Sequence, residues 1–188
     1  IQEALHWMIG RDRKKASIGV HNLGAVEPPF RYVTCAPDGI KFVPLDKTEP
    51  MTPQDVLEKH EKGMAYKGEV DWAPVYPLIV DKNGDVLSFP PIINGELTRV
   101  VEDTKNLFID VTGTELNAIS RSLNVLVTAL ADMGGIVEIV NVEYSDQVLV
   151  TPDLTPQKMT LNIDYSNDNL GLDFSEAQTI EALQKSRL

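Results

Sequence analysis

The side chains with reactive chemistry are few and lie far apart in the sequence. They are one cysteine, Cys35, and three histidines, His6, His21 and His60. A cysteine–histidine pair could carry out nucleophilic catalysis, and a histidine alone could act as a base, if the fold brought them into one pocket. Cys35 lies in a segment typical of a core strand, nothing in the sequence places His21 in a pocket, and the spacing predicts no metal site.

One carboxylate is distinguished by its surroundings. Asp110 interrupts the apolar run at residues 107–111, and a buried carboxylate is costly unless a partner binds it. We predict that Asp110 is either a fixed hydrogen-bond acceptor in a pocket or a strand-end carboxylate that accepts from loop amides. Thr112 lies two residues further on and therefore projects from the same face of the strand. It either joins Asp110 at a ligand or is present because threonine favours strands.

The acidic composition limits what the chain can bind. Its 17 basic and 28 acidic residues give a net charge of -11, whereas proteins that grip a long nucleic-acid backbone carry a basic face. The basic residues cluster once, at Arg11, Arg13, Lys14 and Lys15. We interpret this cluster as either a solvated loop or a patch that contacts phosphates. The charge argues against an autonomous nucleic-acid-binding protein but allows a module that touches only the end of an RNA.

Common functional fingerprints are missing from the sequence. It contains neither the glycine-rich motifs of nucleotide-binding folds nor the Gly-x-Ser-x-Gly and His-Glu-x-x-His motifs of hydrolases. It has no apolar run long enough to span a membrane, and one cysteine suits a reducing cytosol. The first residue is not Met, which we interpret as a sign of a longer parent protein. These features predict a cytoplasmic domain without a membrane partner.

The elements that must position these residues alternate between strands and helices. Strands are predicted at residues 16–23, 30–35, 40–45, 75–80, 85–89, 107–111, 136–144 and 147–150. Helices are predicted at residues 1–9, 52–60 and 115–133. Asn83 and Gly84 favour a tight hairpin turn, and Thr52 with Asp55 forms a capping box. Because hairpins link antiparallel strands, we predict an α+β fold of mixed, mostly antiparallel sheets packed with helices.

The last 38 residues are predicted to be separate. Two prolines mark residues 151–156 as a linker, followed by a strand at residues 158–163, a short helix at residues 165–170 and a helix capped by Ser175. So few residues rarely hold a core alone. We therefore expect one domain at residues 1–150 and, at residues 151–188, a linker with the truncated start of another domain.

Three segments carry a family resemblance. They are residues 10–23, residues 76–95 with the sequence Pro-Pro-Ile-Ile-Asn-Gly at their end, and residues 103–114 with the sequence Asn-Leu-Phe-Ile-Asp-Val-Thr-Gly-Thr. In this order and spacing they resemble the β subunit of archaeal and eukaryotic phenylalanyl-tRNA synthetases. The resemblance implies that residues 1–150 are the editing domain of that subunit. Residues 151–188 resemble the start of its winged-helix-like module.

The resemblance implies an activity and partners. An editing domain hydrolyses the ester of tRNA(Phe) that has been mischarged with tyrosine; the alternative is a non-catalytic module that binds tRNA or holds the subunits together. The implied partners are tyrosyl-tRNA(Phe) and the α subunit, in an α2β2 heterotetramer. ATP and Mg would act only through the α subunit, and no cofactor is expected in this fragment.

The resemblance also implies a binding pocket. A similar strand in bacterial relatives carries a glutamate that reads the phenolic hydroxyl, and Asp110 falls on it. Leu78 and Ser88 would line the pocket, although core packing and a surface hydroxyl are their respective alternatives. Asn94 and Gly95 would lie beside the amino-acid moiety or form a plain turn.

The physics of discrimination fits such a pocket. An apolar site rejects an added hydroxyl only by roughly a hundredfold, whereas a site that hydrogen-bonds the hydroxyl discriminates by roughly 10⁴. The hydrolysis is expected to need no catalytic side chain. An aminoacyl ester is already activated, so a positioned water assisted by the neighbouring ribose hydroxyl would suffice.

Overall fold

The computed structural model describes residues 1–186, and the chain divides into two compact units with the boundary between Asp153 and Leu154. The helices of the first unit are α1 (Gln2–Met8), α2 (Pro53–Lys59), α3 (Glu61–Tyr66) and α4 (Leu116–Asp132). Its strands are β1 (Ala16–Asn22), β2 (Arg31–Cys35), β3 (Tyr76–Val80), β4 (Val86–Phe89), β5 (Ile93–Asn94), β6 (Leu107–Gly113), β7 (Val140–Glu143) and β8 (Val148–Thr151). Within the described chain, no helix is both long and apolar enough to cross a lipid bilayer.

The strands form three antiparallel sheets, which confirms the predicted α+β fold. β1 pairs with β6, β7 pairs with β8, and the four-stranded sheet has the order β2-β3-β4-β5. One face of the four-stranded sheet carries the largest core cluster. Leu78 and Phe89 of the sheet pack there with Val56 and Leu57 of α2, all four of them at most 2% exposed.

The β1–β6 ladder has two chemically different faces. Ile18 and Val20 of β1 lie opposite Val111 and Ile109 of β6 and pack with Leu126 of α4. The intervening residues project from the other face because side chains alternate along a strand. That second face carries three directly opposed pairs, Ser17 with Thr112, Gly19 with Asp110, and His21 with Phe108. The functional candidates of β6 therefore share one face, as the sequence predicted.

Local signals correctly predicted several turns and caps. The Thr52 side chain accepts from the Asp55 backbone N–H, and Asp55 returns the bond to the Thr52 backbone, so the capping box is confirmed. The β3–β4 hairpin turns at Asn83 and Gly84, where Gly84 has a φ of 93°. The second capping box, at Ser175, is also confirmed.

One predicted strand is wrong for an identifiable reason, whereas two predicted helices are confirmed. Residues 40–45 make only two isolated bridges, Phe42 to Met51 and Pro44 to Gly95, and Pro44 has no backbone N–H to extend a ladder. The helix predicted at residues 52–60 is confirmed as α2 (Pro53–Lys59), and the extended backbone of His60 separates it from α3. The helix predicted at residues 115–133 is confirmed as α4, with Glu115 as its N-cap residue, and the hydroxyl of Thr114 just before it donates to the Lys14 carbonyl at 3.0 Å.

The regular elements described in the second unit are both helices. It contains α5 (Ile163–Leu170) and α6 (Glu176–Lys185). The strand predicted at residues 158–163 is wrong, because Asn162 caps α5 by accepting a hydrogen bond from the Tyr165 backbone N–H at 2.9 Å. The assignment of the second unit to a winged-helix-like module stays a prediction, as does the boundary of the functional domain.

One buried carboxylate determines the shape of the β3–β4 hairpin. Asp81 is 1% exposed and accepts from the backbone N–H groups of Glu27, Asn83 and Asp85 at 2.7 to 3.1 Å. Burial raises its pKa, but these backbone donors outweigh burial and leave the pKa of Asp81 below its usual value. The charged form is therefore the one that holds the turn.

Replacing Asp81 by asparagine should lower the free energy of unfolding by about 2 kcal/mol at neutral pH, because the amide weakens these bonds. A depressed folded-state pKa gives stability that is present above the unfolded pKa of about 4 and is lost as the pH falls through the folded value. The destabilisation by Asp81→Asn, measured by urea unfolding, should thus shrink below about pH 4. The same difference at pH 3 and pH 7 would contradict this role for the charge.

Candidate functional site

A cleft of about 530 Å³ opens beside the β1–β6 ladder. Its walls come from β1, from residues 90–95, from residues 45–47 and from the junction of α2 and α3. The volume suits a small organic ligand. Asp110, Ser88, Asn94, Gly95 and Arg13 line this cleft, so the fold brings together five residues that the sequence nominated from three distant segments.

A hydrogen-bonded chain of three side chains lies behind one wall of the cleft. His21 Nε2 lies 2.7 Å from Asp110 Oδ2, and His21 Nδ1 lies 2.8 Å from Thr98 Oγ1. Since a carboxylate only accepts, His21 Nε2 donates to Asp110. The Thr98 hydroxyl also donates towards the carbonyl oxygens of Gly95 and Leu87, at 3.3 and 3.4 Å. The sequence placed neither His21 nor Thr98 in the site.

The order of the three side chains decides which one can meet a ligand. The side chain of His21 is 0% exposed and that of Asp110 is 9% exposed, and of the two only Asp110 lines the cleft. His21 Nε2 engages Oδ2, which leaves Oδ1 as the oxygen that can accept from a bound molecule. The imidazole therefore holds Asp110 in place and does not itself line the cleft.

Two glycines make room for this arrangement. A Cβ atom on Gly19 would lie 2.0 Å from Asp110 Oδ2 and 2.6 Å from His21 Nε2, so the Asp110–His21 pair can form only over a bare backbone. A Cβ on Gly95 would lie 2.6 Å from the Val86 carbonyl oxygen. Gly95 is thus required for a close approach between the turn after β5 and the start of β4.

Ser88 and Asn94 are directly opposed in the β4–β5 ladder and line the cleft together. Asn94 donates from Nδ2 to the Val20 carbonyl at 3.3 Å and so connects β5 to β1. Ser88 is 3% exposed, and its hydroxyl has no hydrogen-bond partner in residues 1–186. A surface role for Ser88 is therefore wrong. A buried hydroxyl without a partner beside a cleft points to a polar ligand atom.

Leu78 and Thr112 do not line the cleft. Leu78 is 0% exposed and packs in the core with Phe89. It precedes Ile79, the partner of Ser88, so strand alternation turns it away from Ser88. Thr112 is half-buried on the same face as Asp110 but lies beyond it, opposite Ser17. Leu78 supports the site from within the core, whereas Thr112 flanks it.

The basic cluster divides into residues with different roles. Arg11 and Lys14 are exposed, and Lys15 forms an ion pair with Glu115. Arg13, by contrast, has a side chain that is only 10% exposed, and it donates from Nη1 to the carbonyls of Pro91 and Ile92 at 3.1 and 3.2 Å. Arg13 therefore holds the proline-rich wall of the cleft and is not a surface contact.

His60 has a structural role in the wall of the cleft. His60 is 3% exposed, and its Nδ1 accepts from the Lys62 backbone N–H at 3.1 Å as the N-cap of α3. Burial, and then the positive charge of Lys47, lower the pKa of His60. The neutral ring keeps Nδ1 as an acceptor, so His60 shapes the cleft wall and offers it no charge.

A known protein family matches the region of the chain that forms the cleft. The sequence profile of the B3/4 domain matches residues 2–129. The chain belongs to the B3/4 domain family. The matched residues of the B3/4 domain include Asp110, His21, Ser88 and Asn94, so the whole cleft wall described above falls within the family's region.

Three relatives similar to this chain carry the same name. Phenylalanine–tRNA ligase beta subunits are 48% identical in Methanothrix thermoacetophila, 47% in Methanocaldococcus jannaschii and 51% in Methanococcoides burtonii, each over the full length of this chain. The chain spans 34% of the length of each of these relatives. The resemblance to the phenylalanyl-tRNA synthetase β subunit is thereby confirmed.

A solved structure shares the fold. The N-terminal fragment of the phenylalanyl-tRNA synthetase beta subunit from Pyrococcus horikoshii is similar, with a TM-score of 0.92 and 43% identity. The likeness covers 98% of this chain and 53% of that one. The arrangement of antiparallel sheets and helices is therefore that of the β-subunit N-terminal region.

Proposed function

We propose that the cleft is a hydrolytic editing site of a phenylalanine–tRNA ligase, which accepts the tyrosyl end of mischarged tRNA(Phe) and releases tyrosine. The observation that carries this proposal is the carboxylate of Asp110, which His21 holds in place and which lines a cleft of about 530 Å³. Tyrosine differs from phenylalanine by one hydroxyl, and a fixed acceptor for that hydroxyl is the required recognition element.

The remaining walls support the same ligand. Pro90, Pro91 and Ile92 give the cleft an apolar side that suits an aromatic ring. The phenolic hydroxyl would donate to Asp110 Oδ1 and could accept from the unpaired hydroxyl of Ser88. A phenylalanine ring in the same position would leave both groups without a partner, so the site would bind it more weakly.

The proposed reaction is the attack of water on the ester carbonyl. The new bond joins the water oxygen to the carbonyl carbon, the bond from that carbon to the ribose oxygen breaks, and the ribose oxygen takes the proton. Free tyrosine and uncharged tRNA result. In this proposal the protein positions the ester and the water, and the neighbouring ribose hydroxyl assists, since the buried His21 cannot reach either of them.

Replacing Ser88 by alanine should separate function from folding. Deacylation of tyrosyl-tRNA(Phe) by the intact ligase should slow by about tenfold, because one hydrogen bond to the phenolic hydroxyl is lost. The free energy of unfolding should stay the same or rise, because the wild-type hydroxyl is buried without a partner. Release of labelled tyrosine and urea unfolding measure the two quantities.

The same experiment tests the function itself. Deacylation by the wild-type ligase no faster than spontaneous hydrolysis would refute the editing proposal and favour a module that binds tRNA or holds subunits. A Ser88→Ala ligase with unchanged deacylation would retain editing but remove Ser88 from the site. Thr34→Ala is the matched control, because it removes an exposed hydroxyl from β2. It should leave the deacylation rate and the free energy of unfolding unchanged.

A further inference from the structure

Thr98 is buried at a point where three segments of the chain meet. It ends the single turn of 3₁₀ helix at Glu96–Thr98 and is 1% exposed. Its hydroxyl oxygen lies 2.8 Å from His21 Nδ1, 3.3 Å from the Gly95 carbonyl oxygen and 3.4 Å from the Leu87 carbonyl oxygen. One side-chain oxygen therefore links β1, β4 and the turn after β5.

Two of these contacts reach the neighbours of cleft residues. Leu87 directly precedes Ser88 on β4, and Gly95 directly follows Asn94 on β5. The Gly95 backbone N–H donates to the same Leu87 carbonyl at 2.7 Å, so the two segments are already joined where Thr98 meets them. Thr98 is thus tied to the wall of the cleft that carries Ser88 and Asn94.

The third contact reaches the carboxylate of Asp110 through His21. The His21 side chain is 0% exposed, its Nε2 lies 2.7 Å from Asp110 Oδ2, and its Nδ1 faces Thr98. A hydroxyl has one proton and two lone pairs. It can therefore donate to Nδ1 of a neutral ring, or accept from a protonated Nδ1 and donate to a carbonyl. In both cases the bond at Nδ1 keeps Nε2 directed at Asp110.

Apolar packing does not define which edge of the His21 ring faces Asp110. The centroid of the Phe108 ring lies 6.2 Å from that of His21, with the two planes tilted by 34°. Such a contact depends on the shape of the imidazole far more than on which of its atoms are nitrogen. Hydrogen bonds at both nitrogens do define the orientation. A displaced Nε2 would release Asp110 from the position in which it lines the cleft.

We infer that Thr98 is a positioning residue for the discrimination of tyrosine from phenylalanine. It is anchored to the wall that carries Ser88, and through His21 it sets the position of the Asp110 carboxylate relative to that wall. This inference rests on the proposed function, in which the phenolic hydroxyl lies between Asp110 and Ser88. Thr98 borders the cleft but is 1% exposed, so its effect on a ligand passes through His21. Recognition of one hydroxyl requires both partners to be held within about 0.5 Å.

The test compares two ligands on the intact ligase. Both are stable amide analogues of an aminoacyl-adenosine, one with tyrosine and one with phenylalanine, and titration calorimetry gives the ratio of their dissociation constants. The wild type should prefer the tyrosyl analogue by roughly a hundredfold or more. Thr98→Val replaces the hydroxyl by a methyl group of similar size. It should lower this preference by roughly tenfold, the size of one hydrogen bond, while the phenylalanyl analogue binds as before.

Further threonine variants separate positioning from folding. Thr98→Ser keeps the hydroxyl and should retain the wild-type preference. Thr52→Val is the matched control, because Thr52 is 7% exposed and its hydroxyl caps α2 outside the lining of the cleft. It should lower the free energy of unfolding, as the loss of an N-cap does, and leave the preference unchanged. If urea unfolding shows that Thr98→Val does not fold, the smaller Thr98→Ala carries the same test with the same expected loss.

A double variant tests whether Thr98 acts through the carboxylate. If it does, adding Thr98→Val to Asp110→Asn should not weaken the tyrosyl analogue further, because effects along one chain of contacts are not additive. A further loss of roughly tenfold, again the size of one hydrogen bond, would show that Thr98 acts independently of Asp110. That result would overturn the inference.

The outcomes also separate this inference from the editing function. If the wild type prefers the tyrosyl analogue and Thr98→Val keeps the full preference, the positioning role alone is wrong. The same conclusion follows if Thr98→Val weakens both analogues equally, since that would be a general structural effect. A wild type that binds both analogues with equal affinity would refute the proposed recognition of tyrosine, and the role of Thr98 would fail with it.

Discussion

Replacing Gly19 by alanine should reduce the deacylation of tyrosyl-tRNA(Phe) by at least roughly a hundredfold, because a misplaced reacting geometry commonly has an effect of that size. The added Cβ would lie 2.0 Å from Asp110 Oδ2 and 2.6 Å from His21 Nε2, distances at which the two side chains must move. The carboxylate would then no longer face the cleft from its fixed position. The rate is measured as labelled tyrosine released by the intact ligase.

A second glycine provides the matched control. A Cβ on Gly68 would have no atom within 4 Å, so Gly68→Ala should deacylate at the wild-type rate. Gly19→Ala should also lower the free energy of unfolding, because the added Cβ disrupts the buried hydrogen bond between Asp110 and His21. A stable, folded Gly19→Ala ligase with wild-type deacylation would show that this pair is not needed for the reaction.

Replacing Asp110 by asparagine should remove editing while preserving the shape of the side chain. The amide keeps one oxygen but loses the negative charge that accepts from the His21 N–H and that would, under the proposed function, accept from the phenolic hydroxyl. We expect the deacylation rate to fall by roughly 10² to 10³, as when a charged or preorganised hydrogen-bonding group is removed from an active site. Formation of phenylalanyl-tRNA by the same ligase should be unchanged.

The control for this substitution is an aspartate outside the cleft. Asp38 is exposed, and Asp38→Asn makes the same change of charge without reaching the site. It should leave deacylation at the wild-type rate. If the Asp110→Asn ligase deacylates tyrosyl-tRNA(Phe) as fast as the Asp38→Asn ligase, Asp110 does not recognise tyrosine, whatever the role of the remaining cleft.

Much of the fold was predictable because its signals are local. The alternation along β6 placed Asp110 and Thr112 on one face, and the Asn83-Gly84 pair set the β3–β4 hairpin. The capping box at Thr52 likewise needs only four consecutive residues. Ser88 and Asn94 came from the family resemblance, and their shared position in the cleft follows from the β4–β5 register.

The centre of the site was not predictable because it depends on distant pairing. His21 and Asp110 are 89 residues apart, and their contact requires the β1–β6 register, which no local pattern specifies. One useful signal was present in the sequence. Gly19 lies two residues before His21 and shares its strand face, and a glycine inside a strand often marks a close approach.

Burial decided the positions of two residues. Arg13 was predicted to lie in a solvated loop or in a patch that contacts phosphates, yet its side chain lies inward against the Pro91 carbonyl. Leu78 was predicted either to line the pocket or to pack in the core, and it packs in the core on the other side of the sheet from Ser88. In both cases the residue type was compatible with either position, and tertiary packing decided between them.

The most direct measurement compares the binding of two ligands that differ by one hydroxyl. Stable amide analogues of tyrosyl-adenosine and phenylalanyl-adenosine can be titrated against the wild-type ligase and against Asp110→Asn. The wild type should prefer the tyrosyl analogue by roughly a hundredfold or more, and the variant should bind both with similar affinity. Equal affinities in the wild type, or a preference that survives in Asp110→Asn, would contradict recognition of tyrosine by this carboxylate.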